Sequence, residues 1–99
     1  MSATFLAMDL GASSGRAMLG TLADGRLTLR ELHRFSNDPV RLAGLLQWDL
    51  PRLFFETKTA LNKAALAGIS LSAMGIDTWG VDYGLLDERG RLLSDPVNY

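Results

Sequence analysis

The run Asp9-Leu10-Gly11-Ala12-Ser13-Ser14-Gly15-Arg16 sets a carboxylate, two hydroxyls and a cation around a string of small residues. A turn of this composition can aim several backbone N–H groups into one concavity, which suits phosphate oxygens. Gly11 and Gly15 allow close approach because no Cβ intervenes. Ser13 and Ser14 add hydroxyl donors, and Arg16 can offset phosphate charge. Asp9 stands where a Mg²⁺ on the same phosphates would be held, directly or through water. No Gly-Lys-Ser/Thr follows, and the next element reads as a strand, so the turn is not a P-loop. The alternative is a glycine-rich hairpin with a capping aspartate, and the residue types alone leave both readings open.

A second cluster lies at Gly75-Ile76-Asp77-Thr78-Trp79-Gly80-Val81-Asp82-Tyr83. Aromatic faces pack on the apolar side of a sugar ring, while carboxylates and exposed backbone groups bind its hydroxyls. The competing reading is a Trp-Gly turn with Trp79 on the core and its aspartates solvated. His33, the only histidine, is expected on the surface of a strand beside charged neighbours. Phe54 and Phe55 are expected to divide between core and a partner surface, and Trp48 reads as a hydrophobic staple before a helix. With one histidine and no cysteine, the commonest nucleophile–base pairs and thiolate metal cages have little support.

The elements that must position these residues follow from periodicity. Residues 5–10 form a short apolar run without clean alternation, as expected of a strand covered on both faces. Residues 16–22 and 26–35 read as two further strands. They are joined at Ala23-Asp24-Gly25, where Asp-Gly tolerates the positive φ of a type I′ turn. Leu27 and Leu29 share one face of the third strand, Thr28 and Arg30 the other. Residues 36–47, with Asn37-Asp38-Pro39 and Gly44, read as a surface loop. Asp49 is a helix N-cap with Pro51 in the first turn. Leu50, Leu53, Phe54, Thr57, Leu61, Ala64 and Ala65 then recur at helical spacing, and Arg52, Glu56, Asn62 and Lys63 fall away from that stripe. Gly68 ends the helix. A strand over 71–77 and a hairpin around Glu88-Arg89-Gly90 complete the chain.

Three antiparallel strands, a crossover helix and a further strand make an α/β arrangement, the opening half of a ribonuclease H-like fold. There the fourth strand lies parallel to the first. Both chemical clusters then sit at carboxyl ends of parallel strands, where open α/β sheets bind ligands.

Ninety-nine residues with a formal net charge of −1 form one small domain with no footprint for nucleic acid or an anionic membrane. The first residues lack a basic region, and Asp9 interrupts the apolar run, so no signal peptide is expected. No apolar stretch is long enough to span a bilayer. The absence of cysteine suits a cytoplasmic protein. The chain closes on Ser94-Asp95-Pro96-Val97-Asn98-Tyr99 without a helix, cap or polar tail, an end that fits either a natural terminus or a cut through a longer protein.

Met8 to Arg16, Leu32 to Asn37, Gln47-Trp48-Asp49 and Gly75 to Asp87 together resemble the FGGY family of carbohydrate kinases, in order and along essentially the whole chain. Within that family, Asp77-Thr78-Trp79-Gly80-Val81-Asp82 and Ala12-Ser13-Ser14-Gly15-Arg16 resemble the members that phosphorylate L-rhamnulose. The resemblance implies an actin-like ATPase domain and Mg²⁺-dependent transfer of the ATP γ-phosphoryl to the sugar's C1 hydroxyl. It assigns Ala12, Ser13, Ser14, Gly15 and Arg16 to the ATP phosphates, Asp9 to magnesium, and Gly80, with Trp79 and Asp82, to the sugar. It also implies that residues 1–99 are an incomplete N-terminal domain. The general base lies further along and the adenine pocket belongs to a second domain, so no catalytic residue falls in this chain. One sheet face is then expected to be under-covered, with self-association or the remainder of the kinase as its partner. Another ketose or polyol as acceptor, or a non-catalytic phosphate-binding module, is the alternative.

Overall fold

A computed structural model describes residues 2–98. Its elements are β1 (Ser2–Leu10), β2 (Ser14–Ala23), β3 (Arg26–Ser36), β4 (Val40–Leu42), β5 (Leu45–Gln47), α1 (Leu50–Leu66) and β6 (Ala73–Thr78). A four-stranded sheet runs in the order β3-β2-β1-β6, and β4 and β5 form a separate two-stranded hairpin. β1, β2 and β3 are antiparallel, whereas β6 returns parallel to β1 after the α1 crossover. This is the mixed α/β order that the sequence implied.

Local chemistry explains the elements. Asp24 and Gly25 both take positive φ (52° and 74°), the conformation an Asp-Gly hairpin turn requires. Asp49 caps α1 through its Oδ1, which accepts the Arg52 N–H at 3.1 Å, and Pro51 lies in the first turn. At the other end Gly68 has φ 71°. Its N–H reaches the Ala65 carbonyl, and the Ile69 N–H reaches that of Ala64, closing a Schellman motif.

The core lies between α1 and one sheet face. Leu6 and Met8 of β1, Ala17 and Leu19 of β2 and Phe35 of β3 pack with Leu53 and Ala60 of α1. β1 is therefore covered on one face, not two: Leu6 and Met8 are buried while Ala7 and Asp9, which alternate with them, are exposed. The lack of sequence alternation arises because Ala7 is small and apolar but faces solvent. Leu27 and Leu29 do share a face, but it is the one away from α1, where they are 61% and 66% exposed.

Two further differences are informative. The segment expected as a loop contains β4 and β5, joined by Ala43 and Gly44 at φ 52° and 78°. The final hairpin is reduced to one bridge, Leu86 to Leu92, around a turn in which Asp87 Oδ1 accepts the Arg89 and Arg91 N–H groups. The Arg91 N–H, with the Arg89 N–H and the Arg91 guanidinium, holds the Asp87 carboxyl below its usual range against desolvation that raises it.

Glu56 is buried, although its position lies off the apolar stripe. Its Oε2 is 2.7 Å from His33 Nε2, and its Oε1 accepts from Arg52 Nε at 3.2 Å. Lys63 Nζ lies 2.8 Å from His33 Nδ1. An ammonium only donates, so Nδ1 is the acceptor, and the ring proton sits on Nε2 and is donated to Glu56. His33 is thus a link between β3 and α1 instead of a surface residue. Glu56→Ala is expected to lower the unfolding free energy by about 1.5–3 kcal/mol, the scale of hydrogen bonds to charged groups. Arg52→Ala, removing the exposed partner, should cost no more than about 1 kcal/mol. Urea denaturation of the two variants checks the ranking.

Candidate functional site

The turn between β1 and β2 is held from within and from behind. The Gly11 N–H donates to the Ser14 carbonyl at 2.9 Å. Just past the end of β3, Asn37 is buried, and it ties down two more carbonyls. Its backbone N–H donates to Ser13 O at 3.0 Å and its Nδ2 to Gly11 O at 2.9 Å. The carbonyls of Gly11, Ser13 and Ser14 are thereby drawn into the protein. Ala12 and Ser13 remain exposed, and their N–H groups have no backbone partner among the described residues. A concavity of backbone donors next to a cation is what an anion needs. Asn37 was not singled out from sequence as a site residue, and its place two residues before Pro39 is an ordinary turn signal.

Arg16 projects from β2 opposite Asp9 of β1, with Nε 3.6 Å from Asp9 Oδ2. That is too long for a hydrogen bond. The Nε atom is enclosed and has no hydrogen-bond partner among the described residues. Across the next strand pair Asp9 is level with Asp77. Partners in register share a sheet face, so Arg34, Arg16, Asp9 and Asp77 form a charged row on the face away from α1. Arg34 is occupied by Glu31, Nη2 to Oε1 at 2.7 Å. Asp77 Oδ1 accepts the Thr78 N–H at 3.0 Å.

Gly15 has a packing role of its own. It lies opposite Phe35, and a Cβ built on it would clash with the Phe35 ring, most closely with its Cζ. Phe35 in turn stacks on His33, with centroids 5.9 Å apart. The missing side chain at Gly15 is therefore required by the core behind the turn, whatever the turn binds.

The parallel register brings the second cluster to the same sheet edge. Leu10 pairs with Thr78, so Trp79 and Gly80 follow β6 where Gly11 and Ala12 follow β1. Gly80 is exposed, with open space where a side chain would be. Trp79 packs against the core and against Trp48, with ring centroids 4.4 Å apart at 48°. Both indoles donate to one atom, Asp82 Oδ2, Trp48 Nε1 at 2.8 Å and Trp79 Nε1 at 2.7 Å. Trp48 is more than a staple, since it is buried and joined to the Trp79–Asp82 group. Beside them runs an open groove of about 610 Å³, lined by Leu53, Phe54, Ile76, Trp79, Tyr83 and Leu86 among others. Phe54 and Phe55 are both exposed.

Among the described residues there is no group of three or more His, Cys, Asp or Glu side chains placed to cage a metal. Nor is any helix among them long and apolar enough to cross a membrane.

No family model matches the chain. Rhamnulokinase of Enterococcus faecalis is 47% identical over 97 residues, covering 97% of this chain and 20% of that protein. Rhamnulokinase of Enterobacter sp. strain 638 is 50% identical over 96 residues, covering 95% and 20%. Rhamnulokinase of Bacteroides thetaiotaomicron is 42% identical over 99 residues, covering 100% and 20%. The matched region is the N-terminal part of these proteins, and the chain spans about a fifth of their length. Among solved structures, gluconate kinase from Lactobacillus acidophilus superposes with a TM-score of 0.74 at 13% identity, over 98% of this chain and 20% of that one. Xylulose kinase from Rhodospirillum rubrum gives 0.70 at 17% identity, over 95% and 20%. At such identities the likeness is one of fold, that of sugar kinases with the actin-like ATPase architecture.

Gly15→Ala is expected to destabilise the chain by about 1–3 kcal/mol, the usual cost of overpacking. Phe35→Leu should also destabilise, yet the double variant should lose clearly less than the two single losses summed, because the smaller side chain makes room. Equilibrium unfolding of the four proteins measures the coupling. Strict additivity would contradict the contact.

Proposed function

We propose that this chain, homologous to the N-terminal part of rhamnulokinases, is the phosphate-binding part of an ATP-dependent sugar kinase whose acceptor is the C1 hydroxyl of L-rhamnulose. The observation that carries the reading is the turn pinned by Asn37, with exposed N–H groups at Ala12 and Ser13 beside Arg16, whose Nε lies 3.6 Å from Asp9 and has no hydrogen-bond partner among the described residues. Ala12, Ser13, Ser14, Gly15 and Arg16 contact the ATP phosphates, through backbone donors, two hydroxyls and one guanidinium. Phosphoryl transfer asks the protein mainly to position groups and stabilise charge.

Two carboxylates, Asp9 and Asp77, stand level on adjacent parallel strands next to that turn. Oxygen donors of this kind fit Mg²⁺, which keeps several waters and binds through one or two carboxylates and the phosphates. In this reading Asp9 would hold Mg²⁺, which when bound would supply neutralisation of charge on the phosphate oxygens. Gly80 takes the sugar through its open backbone, with Trp79 and Asp82 forming the wall beside it. L-rhamnulose, over another ketose or polyol, rests on the names of relatives 42–50% identical to this chain. A cytoplasmic setting, where ATP is at hand, belongs to the same reading.

The general base and the adenine pocket lie in the remainder of the kinase. General-base catalysis supplies roughly 10²–10⁴-fold in rate, so no sugar-dependent ADP release is expected from this chain alone. The apolar groove flanked by Phe54, Ile76 and Tyr83 is where that remainder, or a second copy, packs.

Isothermal titration with ATP, with and without magnesium, tests the reading. The chain should bind MgATP, weakly, and Asp9→Asn should weaken MgATP binding by about tenfold, the scale of one charged contact. Metal-free ATP binding should change far less. Equal loss in both titrations would remove Asp9 from the metal, and no nucleotide binding by the wild-type chain would remove the phosphate assignment. Turnover approaching the ordinary enzyme range of about 1–10³ s⁻¹ would place a catalytic base within residues 1–99.

A further inference from the structure

The acceptor oxygen shared by the only two tryptophans of the chain bears on how the sugar wall is built. A carboxylate oxygen has about two lone-pair sites. Asp82 Oδ2 already receives two indole N–H donors, at 2.7 and 2.8 Å. That oxygen therefore has no capacity left for a sugar hydroxyl while both indoles are in place. The two donors come from distant parts of the chain, Trp48 at the entrance of α1 and Trp79 just past β6. Trp48 is held independently, since its backbone N–H donates to the Pro96 carbonyl at 2.8 Å. Trp79 follows the end of β6 in a segment with no ladder to hold it. Contact with Trp48, at 4.4 Å between ring centroids, and the bond to Asp82 set the angle of its ring.

We propose that Asp82 is a positioning residue that acts through the indoles, fixing Trp79 against Trp48 as a preformed wall for the apolar face of a sugar ring, with the buried Trp48 as the backing of that wall. The inference rests on the sugar-kinase reading for its ligand, but the arrangement of the indoles can be tested without one. The physical advantage is preorganisation. An aromatic wall already locked in its binding orientation loses no rotamer freedom when ligand arrives. A charge-assisted hydrogen bond to each indole supplies the lock.

With only two tryptophans in the chain, the indole exciton couplet in circular dichroism and the tryptophan emission report this pair alone. Wild type, Asp82→Asn, Asp82→Leu and Trp48→Phe would be compared, then titrated with L-rhamnulose. The couplet should vanish in Asp82→Leu and in Trp48→Phe, and survive in weakened form in Asp82→Asn, which keeps one acceptor oxygen. Backbone signals of helix and sheet should persist in all four, and if Asp82→Leu fails to fold, the Asp82→Asn comparison decides. L-rhamnulose should perturb the emission of wild type, and the half-saturating concentration should rise about tenfold in Asp82→Leu, as for loss of one charged hydrogen bond, and less in Asp82→Asn. A couplet unchanged in both Asp82 variants would overturn the positioning role. So would a lost or weakened couplet with unchanged sugar response. No sugar response in wild type would instead overturn the sugar reading, and with it the ligand this wall is assigned.

Discussion

The parallel pairing of β1 with β6 is the constraint on which the rest depends. It sets Asp9 level with Asp77 and Leu10 level with Thr78, so two loops that are some seventy residues apart in sequence leave the sheet side by side. A parallel neighbour needs a crossover, and α1 provides it, burying Leu53 and Ala60 on Leu6, Met8, Ala17 and Leu19. The apolar stripe of one helix thus fixes, at a distance, which polar groups meet at the sheet edge. A one-residue slip of β6 would turn Asp77 to the helix side and Ile76 to the charged side. The buried carboxylate of Glu56, held by His33 from the facing strand, adds a polar register mark to that helix–sheet contact.

The two loops are held by different means. The Gly11–Ser14 turn is fixed by hydrogen bonds to its carbonyls, three of which point inward to Asn37 and to its own Gly11 N–H. That arrangement leaves donors outward, the polarity an anion requires. The Trp79 loop is fixed by its side chain, through one carboxylate oxygen and a neighbouring ring. That arrangement presents an aromatic surface with backbone at Gly80 left open. In the proposed reading, charge binding on one side and ring stacking on the other suit a reaction that joins a phosphate donor to a sugar acceptor.

Much of this was legible in the residues, and what was not has identifiable causes. Asp24-Gly25, Asp49 and Gly68 announced the turn and both helix ends because each answers a local steric or hydrogen-bonding need. The order of elements followed, and with it the placing of Asp9 and Gly80 at one edge. The β4–β5 hairpin leaves little mark in the sequence because its turn puts Ala43 at φ 52°, a conformation for which alanine gives no signal. By sequence Glu56, His33 and Asn37 fit surface or turn positions, because their partners are distant in the chain. Burial of a polar group is legible only once the acceptor or donor across the fold is known. Gly15 matched a phosphate turn by type, but its contact with Phe35 is a second requirement that sequence spacing does not display.

The central claim is that the outward N–H groups of the first turn receive the phosphates of ATP. Amide chemical-shift mapping of the labelled chain on titration with MgATP tests it most directly. The account predicts that the largest shifts fall on Ala12, Ser13, Ser14, Gly15 and Arg16, with smaller changes at Asn37 behind them and none along Leu27–Arg30. Shifts confined to the apolar groove around Phe54 and Tyr83, with the Ala12–Arg16 amides unmoved at saturating nucleotide, would contradict it.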